Sequence, residues 1–134
     1  MKEYKEIQVA LLGLGTVGLG VYKVLQMQKE EMQHKIGTEI KIKKILVRNL
    51  EKAAGKIEDA SVLTDSWQEI VNDDEIQIVI EVMGGMEPAR TYIMEAMQAG
   101  KQVVTANKDL IAADGKELMD QAKKSGCDLL FEAA

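Results

Sequence analysis

Cysteine and proline are scarce in this sequence, and long apolar runs are absent. Its single cysteine, Cys127, cannot form an internal disulfide, which excludes the small secreted scaffolds that depend on several such bonds. No run reaches the roughly 18–20 apolar residues that cross a bilayer, and the charged first residues lack the apolar segment of a signal peptide. We therefore expect a cytoplasmic protein that does not enter a membrane.

The net charge and the length indicate which class of protein this is. The 134 residues carry a formal net charge of -5, which argues against nucleic acid as the main partner, because phosphate backbones call for a concentrated basic surface. With 46% hydrophobic and 29% charged residues, the chain has the composition of one ordinary globular domain.

Short, nearly continuous apolar runs alternate with stretches of helical period along the chain. The apolar runs predict strands at 7–12, 40–47, 61–63, 76–82, 102–105 and 128–131. The intervening helical stretches begin near Val17, Trp67, Pro88 and Leu118. Asp65 or Ser66 is the expected cap of the second helix. This alternation predicts an α/β fold with a doubly wound, mostly parallel sheet of about six strands, a Rossmann-type fold with strand order 3-2-1-4-5-6.

A glycine-rich segment lies between the first predicted strand and the first predicted helix. It fits the dinucleotide-binding pattern G-x-G-x-x-G with the residues Gly13, Leu14, Gly15, Thr16, Val17 and Gly18. The first glycine permits a tight turn, the second lets the backbone approach a pyrophosphate, and the third lets helix and strand pack closely. The N–H groups at the start of the helix then hold the anionic pyrophosphate. Because the segment follows a strand and opens a helix, we interpret it as a dinucleotide site rather than as a structural turn.

The end of the second predicted strand distinguishes NADP from NAD. Domains that bind NAD usually place an acidic residue there for the ribose hydroxyls, whereas this chain has Arg48, with Lys52 close by. A guanidinium at this place can hold a ribose 2′-phosphate. Arg48 therefore favours NADP as the cofactor, while NAD as the cofactor and a solvated surface role for Arg48 remain the alternatives.

Taken in order, the motifs resemble the N-terminal part of homoserine dehydrogenase. Beside the glycine-rich segment, the resemblance lies in VRN at 47–49, IVIEVMGG at 78–85 with EPA at 87–89, VVTANK at 103–108 and FEA at 131–133. It covers essentially all 134 residues. The family implies the reversible interconversion of L-aspartate 4-semialdehyde and L-homoserine with NAD(P)(H), a reaction of threonine and methionine biosynthesis.

The resemblance also implies roles for single residues. Leu14, Thr16 and Val17 line the cofactor. Gly84 lies beside it, and Lys108 reaches it near the substrate. Both of these follow predicted strands, and ligands bind beyond the carboxyl ends of the strands in a doubly wound sheet. The alternative for Lys108 is a surface lysine at a helix start.

The family resemblance implies that residues 1–134 are the NAD(P)-binding domain and that a C-terminal substrate and dimerisation domain is absent from this chain. The proton-transferring lysine belongs to that other domain, so we assign no catalytic residue here. Glu132 is implied as one ligand of a sodium ion in the full-length parent, which we expect to be a homodimer acting on a small-molecule substrate. We expect this chain to bind NADP(H) with little or no turnover.

Two other functions share the predicted fold. A regulatory dinucleotide sensor, such as the gating domains attached to potassium channels, has the same glycine-rich segment but normally keeps an acidic residue after its second strand. It also gives no reason for the sequence TANK at 105–108. A dehydrogenase of another small amino acid or sugar is the other alternative, and only the family resemblance favours homoserine over it.

Overall fold

A six-stranded parallel sheet forms the centre of the molecule. The computed structural model describes residues 5–36 and 38–131, and the side chains of 6–27 and 39–131. Its strands are β1 (Lys5–Leu12), β2 (Thr38–Leu46), β3 (Leu63–Thr64), β4 (Ile76–Glu81), β5 (Gln102–Thr105) and β6 (Leu129–Phe131). All neighbouring strands are parallel, and their order is β3-β2-β1-β4-β5-β6. The predicted fold class and strand order are confirmed.

In the part of the chain that the structure describes, five α-helices connect the strands. They are α1 (Thr16–Ile36), α2 (Leu50–Ala54), α3 (Gln68–Val71), α4 (Ala89–Gln98) and α5 (Lys108–Ser125), and a 3-10 turn (Ala60–Val62) precedes β3. Helix α2 was not predicted, because its five residues are too short to show a helical period. Helix α5 begins far earlier than the predicted start near Leu118. It is interrupted by Asp114, whose backbone is not helical, and this break hides the period of its first half.

The prediction of Asp65 or Ser66 as the cap of the second predicted helix, which is observed as α3, was wrong. Helix α3 follows Trp67, and none of the described side chains caps it. The buried Thr64 takes over the local hydrogen bonding instead: its hydroxyl accepts from the N–H of Ser66 at 3.0 Å and donates to Glu69 Oε2 at 2.8 Å. At α4, Pro88 occupies the cap, one residue before the helix begins.

Consecutive strand residues face opposite sides of the sheet, so the molecule has two apolar cores. One contains Leu12 and Leu46 and packs the sheet against α3, α4 and α5, through residues such as Ile70, Ile93, Met97, Leu110 and Leu118. The other contains Leu11 and Ile45 and packs the sheet against α1 and α2, through Leu19, Tyr22, Leu25 and Ala53. Helices therefore cover both faces, which accounts for the nearly continuous apolar runs of the central strands.

Two lysines from outside β4 hold its start. The buried Lys101, just before β5, donates from Nζ to the carbonyl oxygens of Asp73 at 2.7 Å and Ile76 at 2.8 Å. Burial lowers the pKa of Lys101. Lys43 of β2 pairs with the carboxylates of Asp73 at 2.6 Å and Glu75 at 2.9 Å. These contacts join β2, β4 and β5 at the amino end of β4.

Within the part of the chain that the structure describes, no helix combines the length and the apolar character needed to cross a membrane.

The Lys43–Asp73 pair predicts an acid-sensitive contribution to stability. The hydrogen bond from Lys43 lowers the pKa of Asp73 below its usual value. A carboxyl whose pKa is lower in the folded than in the unfolded chain stabilises the fold above the unfolded value of about 3.9, and this stabilisation is lost as the pH falls through the folded pKa. We expect the free energy of unfolding, measured in urea, to fall less steeply on acidification for Asp73→Asn than for the unchanged chain. The control is Asp120→Asn, at an exposed carboxylate of α5. Equal slopes for Asp73→Asn and the unchanged chain would contradict the prediction.

Candidate functional site

A cleft of 680 Å³ opens at the carboxyl ends of β1, β2 and β4. Three segments form most of its walls: the glycine-rich loop after β1, the residues that follow β2, and the turn after β4 with the start of α4. Asp65, just after β3, completes the lining. In the strand order, β1 lies between β2 and β4, so the cleft lies where the chain connections diverge to opposite sides of the sheet.

The glycines of the loop after β1 differ in what surrounds them. Gly13 has φ 109°, its N–H donates to Leu46 O at 2.9 Å, and a Cβ on it would lie 3.0 Å from the Cα of Met83. A Cβ on Gly18 would lie 2.4 Å from the carbonyl oxygen of Gly13, so the start of α1 can approach the loop only without a side chain there. A Cβ on Gly15 would meet nothing within 4 Å. Gly15 therefore leaves open space above the loop, where the free N–H groups of the first turn of α1 are found.

Positive side chains concentrate on the wall that follows β2. Arg48, Lys52 and Lys56 all line the cleft, whereas Asp65 is its one acidic lining residue among those that the structure describes. Lys56 Nζ donates to the carbonyl oxygen of Leu14 at 3.1 Å, which links this wall to the glycine-rich loop. Arg48 is exposed, and no ion pair among the described side chains, those of 6–27 and 39–131, involves it. This wall is suited to an anionic group.

An aromatic pair lies where α4 borders the cleft. Tyr92 of α4 lines the cleft and stacks on the buried Trp67, with ring centroids 4.5 Å apart and an interplanar angle of 21°. The indole Nε1 of Trp67 donates to Glu95 Oε1 at 2.7 Å, which fixes the orientation of the ring. Sequence reasoning missed Tyr92, because its position relative to the cleft depends on how α4 packs.

A buried carboxylate holds the turn after β4. Glu81, the last residue of β4, is fully buried. Its Oε2 accepts from the N–H groups of Met83 and Gly84, both at 3.0 Å, and its Oε1 accepts from Thr105 Oγ1 at 2.6 Å. Sequence reasoning treated 76–82 as one apolar strand and did not single out Glu81, although a charged residue in such a run was a usable signal.

Asn107 joins the turn after β4 to the start of α5. Its side-chain Nδ2 donates to Gly85 O at 2.6 Å, and its Oδ1 accepts from the N–H of Leu110 at 3.2 Å, which caps the helix. Its own N–H donates to Thr105 Oγ1 at 3.1 Å. Lys108 is the first residue of α5 and is exposed.

The structure brings only part of the predicted site residues into the cleft wall. Those lining it are Gly13, Leu14, Gly15 and Arg48. Thr16 and Val17 are exposed at the start of α1, and Gly18 is buried beneath them. Gly84 and Lys108 are exposed on the neighbouring turns and do not line this cleft. Glu132, the predicted sodium ligand, lies outside the described residues. Within those residues, no group of three side chains suited to a metal ion occurs.

Comparisons with known proteins agree on one family. The family model described as "Homoserine dehydrogenase, NAD binding domain" matches residues 13–132. A homoserine dehydrogenase of Bacillus subtilis (strain 168) is 45% identical over 130 residues, which are 97% of this chain and 30% of that protein. The chain thus spans under a third of the length of this curated relative.

Solved structures agree as well. A homoserine dehydrogenase of S. aureus, crystallised at pH 6.0, superposes with a TM-score of 0.90 at 44% identity and covers 96% of this chain and 33% of that one. A hyperthermophilic archaeal homoserine dehydrogenase in complex with NADPH superposes with a TM-score of 0.76 at 26% identity and covers 96% of this chain and 44% of that one.

The surroundings of Gly15 and Gly18 predict that the same substitution has very different effects on stability at the two positions. We expect Gly18→Ala to lower the free energy of unfolding by roughly 1–3 kcal/mol, because the new methyl group would overlap the Gly13 carbonyl. Gly15→Ala should change it by no more than about 0.5 kcal/mol, because its methyl group meets no protein atom. Urea denaturation of the two variants measures both values. A loss at Gly15 equal to that at Gly18 would contradict the prediction.

Proposed function

This chain belongs to the family of homoserine dehydrogenase NAD-binding domains, and on that basis we propose that it binds NADP(H) in preference to NAD(H). The parent enzyme would interconvert L-homoserine and L-aspartate 4-semialdehyde. The nicotinamide of the cofactor supplies or takes the hydride, and the residues of this chain bind and orient the cofactor. Family membership favours this function over a regulatory dinucleotide sensor or a dehydrogenase of another substrate.

The turnover of the parent is itself part of the proposal, because this chain spans only 30% of the length of the B. subtilis relative. We propose that residues 1–134 act as the cofactor-binding domain and that the groups which hold the substrate and move its proton belong to another part of the parent. On its own, this chain then binds the cofactor with little or no turnover. A cytoplasmic homodimeric parent, with Glu132 contributing to a sodium site, belongs to the same proposal.

The pyrophosphate of the cofactor fits the open space above Gly15. A Cβ there would meet nothing within 4 Å, and the adjacent helix start presents N–H groups that lack intrahelical acceptors. These donors and the partial positive charge of the helix end favour an anion at this place. Leu14, Thr16 and Val17 then surround the pyrophosphate.

The preference for NADP rests on one observation, the cluster of Arg48, Lys52 and Lys56 on a single wall of the cleft. A planar guanidinium can hold a phosphate through two hydrogen bonds, and ammonium groups nearby add to the attraction. An uncharged ribose would gain nothing comparable. The adenosine ribose and its 2′-phosphate therefore belong on this wall, with the adenine towards Tyr92.

The nicotinamide half then extends from the pyrophosphate towards the ends of β4 and β5. Gly84 and Gly85, with φ 75° and 77°, carry no side chains that would obstruct it. Lys108, exposed at the start of α5, offers a cation to the ribose, the phosphate or a substrate carboxylate.

Calorimetric titration of the chain with NADPH and, separately, NADH tests the proposal. We expect NADPH to bind more tightly by about tenfold or more, which corresponds to one charge-assisted contact with the 2′-phosphate. Equal affinities would remove the preference for NADP but leave the dinucleotide site. Absence of binding to either cofactor by the folded chain would contradict the proposed function.

The role of Arg48 is tested by Arg48→Ala. We expect the binding free energy of NADPH to weaken by about 1.5–3 kcal/mol, because a charge-assisted phosphate contact is lost, while that of NADH changes little. Lys116→Ala, on an exposed position of α5, is the control for the loss of one positive charge. Equal weakening of NADPH and NADH binding would show that Arg48 does not contact the 2′-phosphate.

A further inference from the structure

We infer that Glu81 is a positioning residue for the nicotinamide half of the cofactor, because its buried carboxylate holds the Met83–Gly85 turn and joins it to the segment that leads into Lys108. This inference rests on the proposed function. The adenosine half lies beside the Arg48 wall, so the other half must pass the start of α1 and reach the ends of β4 and β5. The turn that Glu81 holds lies at those ends.

Three donors converge on the Glu81 side chain. Two backbone N–H groups, of Met83 and Gly84, share one oxygen, and the Thr105 hydroxyl occupies the other. A buried carboxylate is costly unless its oxygens are hydrogen-bonded, and here each of them is. Glu81 and Thr105 are directly paired in the register of β4 and β5, which brings both side chains to the same place.

The contacts close into a ring that joins two turns. From Glu81 the ring passes through Thr105 to the backbone N–H of Asn107, and from the Asn107 side chain to the carbonyl of Gly85. The turn containing Gly84 and Gly85 returns to Glu81 through the N–H of Gly84. Two consecutive glycines with positive φ have little conformational restriction of their own, so these hydrogen bonds determine where the turn lies.

A second buried charged side chain, at the other end of β4, provides a matched comparison. Lys101 bonds the carbonyls of Asp73 and Ile76 at the amino end of β4, whereas Glu81 bonds N–H groups at the carboxyl end. Removing either charge leaves buried backbone or side-chain groups unpaired and should lower stability. Only the Glu81 end faces the cofactor, so only a change there should affect binding of the nicotinamide half.

The experiment compares Glu81→Gln with Lys101→Met in calorimetric titrations. The ligands are NADPH and adenosine 2′,5′-bisphosphate, which lacks the nicotinamide half. The amide of the glutamine has nearly the shape of the carboxylate but brings a donor to a place where three donors meet. We expect Glu81→Gln to bind NADPH about tenfold more weakly and the bisphosphate with unchanged affinity. Lys101→Met should bind both ligands as the unchanged chain does, at a similar loss of thermal stability.

The outcomes of these titrations distinguish failure of the proposed function from failure of the inference about Glu81. If the unchanged chain binds neither ligand, the proposed function fails, and this inference fails with it. If the unchanged chain binds both ligands equally, or if Glu81→Gln weakens both equally or neither, the inference alone is overturned. Should Glu81→Gln not fold, Thr105→Val removes the bridging hydroxyl and is expected to weaken NADPH selectively. Thr105→Ser keeps that hydroxyl and should bind NADPH like the unchanged chain.

Discussion

The parallel hydrogen bonding of β1 to β2 on one side and to β4 on the other determines the position of every later feature. Because parallel strands need crossover connections, the chain leaves β1 over one face of the sheet, by α1, and reaches β5 and β6 over the other face, by α4 and α5. The loops that follow β1, β2 and β4 diverge at this point, and the cleft is the space between them. The glycines, the cations and the turn after β4 therefore meet without being near one another in sequence.

The sequence was most informative where a single local constraint determined the residue pattern. The central strands were predictable because burial on both faces requires continuous apolar runs, and Gly18 was predictable because its spacing from Gly13 reflects a close backbone approach. Helix α2 was not predicted, because five residues are too few to show a helical period. The first half of α5 was not predicted, because Asp114 interrupts the helix. Tyr92 was missed because its ring partner and the cleft belong to other elements, so its environment exists only after the chain has folded. Glu81 was missed because 76–82 was treated as one apolar strand, and its partner Thr105 lies in another strand.

Two buried charged side chains, Lys101 and Glu81, bind backbone groups at the two ends of β4. At the start of β4, the carbonyl oxygens of Asp73 and Ile76 accept hydrogen bonds from the ammonium of Lys101. Just past the end of β4, N–H groups outside the ladder are satisfied by the carboxylate of Glu81. Each charge matches the kind of backbone group that it contacts, so neither needs an ion-pair partner to be tolerated.

The stack of Trp67 on Tyr92 has an optical consequence. Trp67 is the only tryptophan in the chain, so the intrinsic tryptophan emission arises from one defined position directly behind the cleft wall. The indole is shielded from water by burial, oriented by Glu95, and in contact with a ring that borders the cleft. Any displacement of α4 that separates the two rings alters the surroundings of this single chromophore. The fluorescence of the unlabelled protein therefore reports the arrangement of the cleft wall.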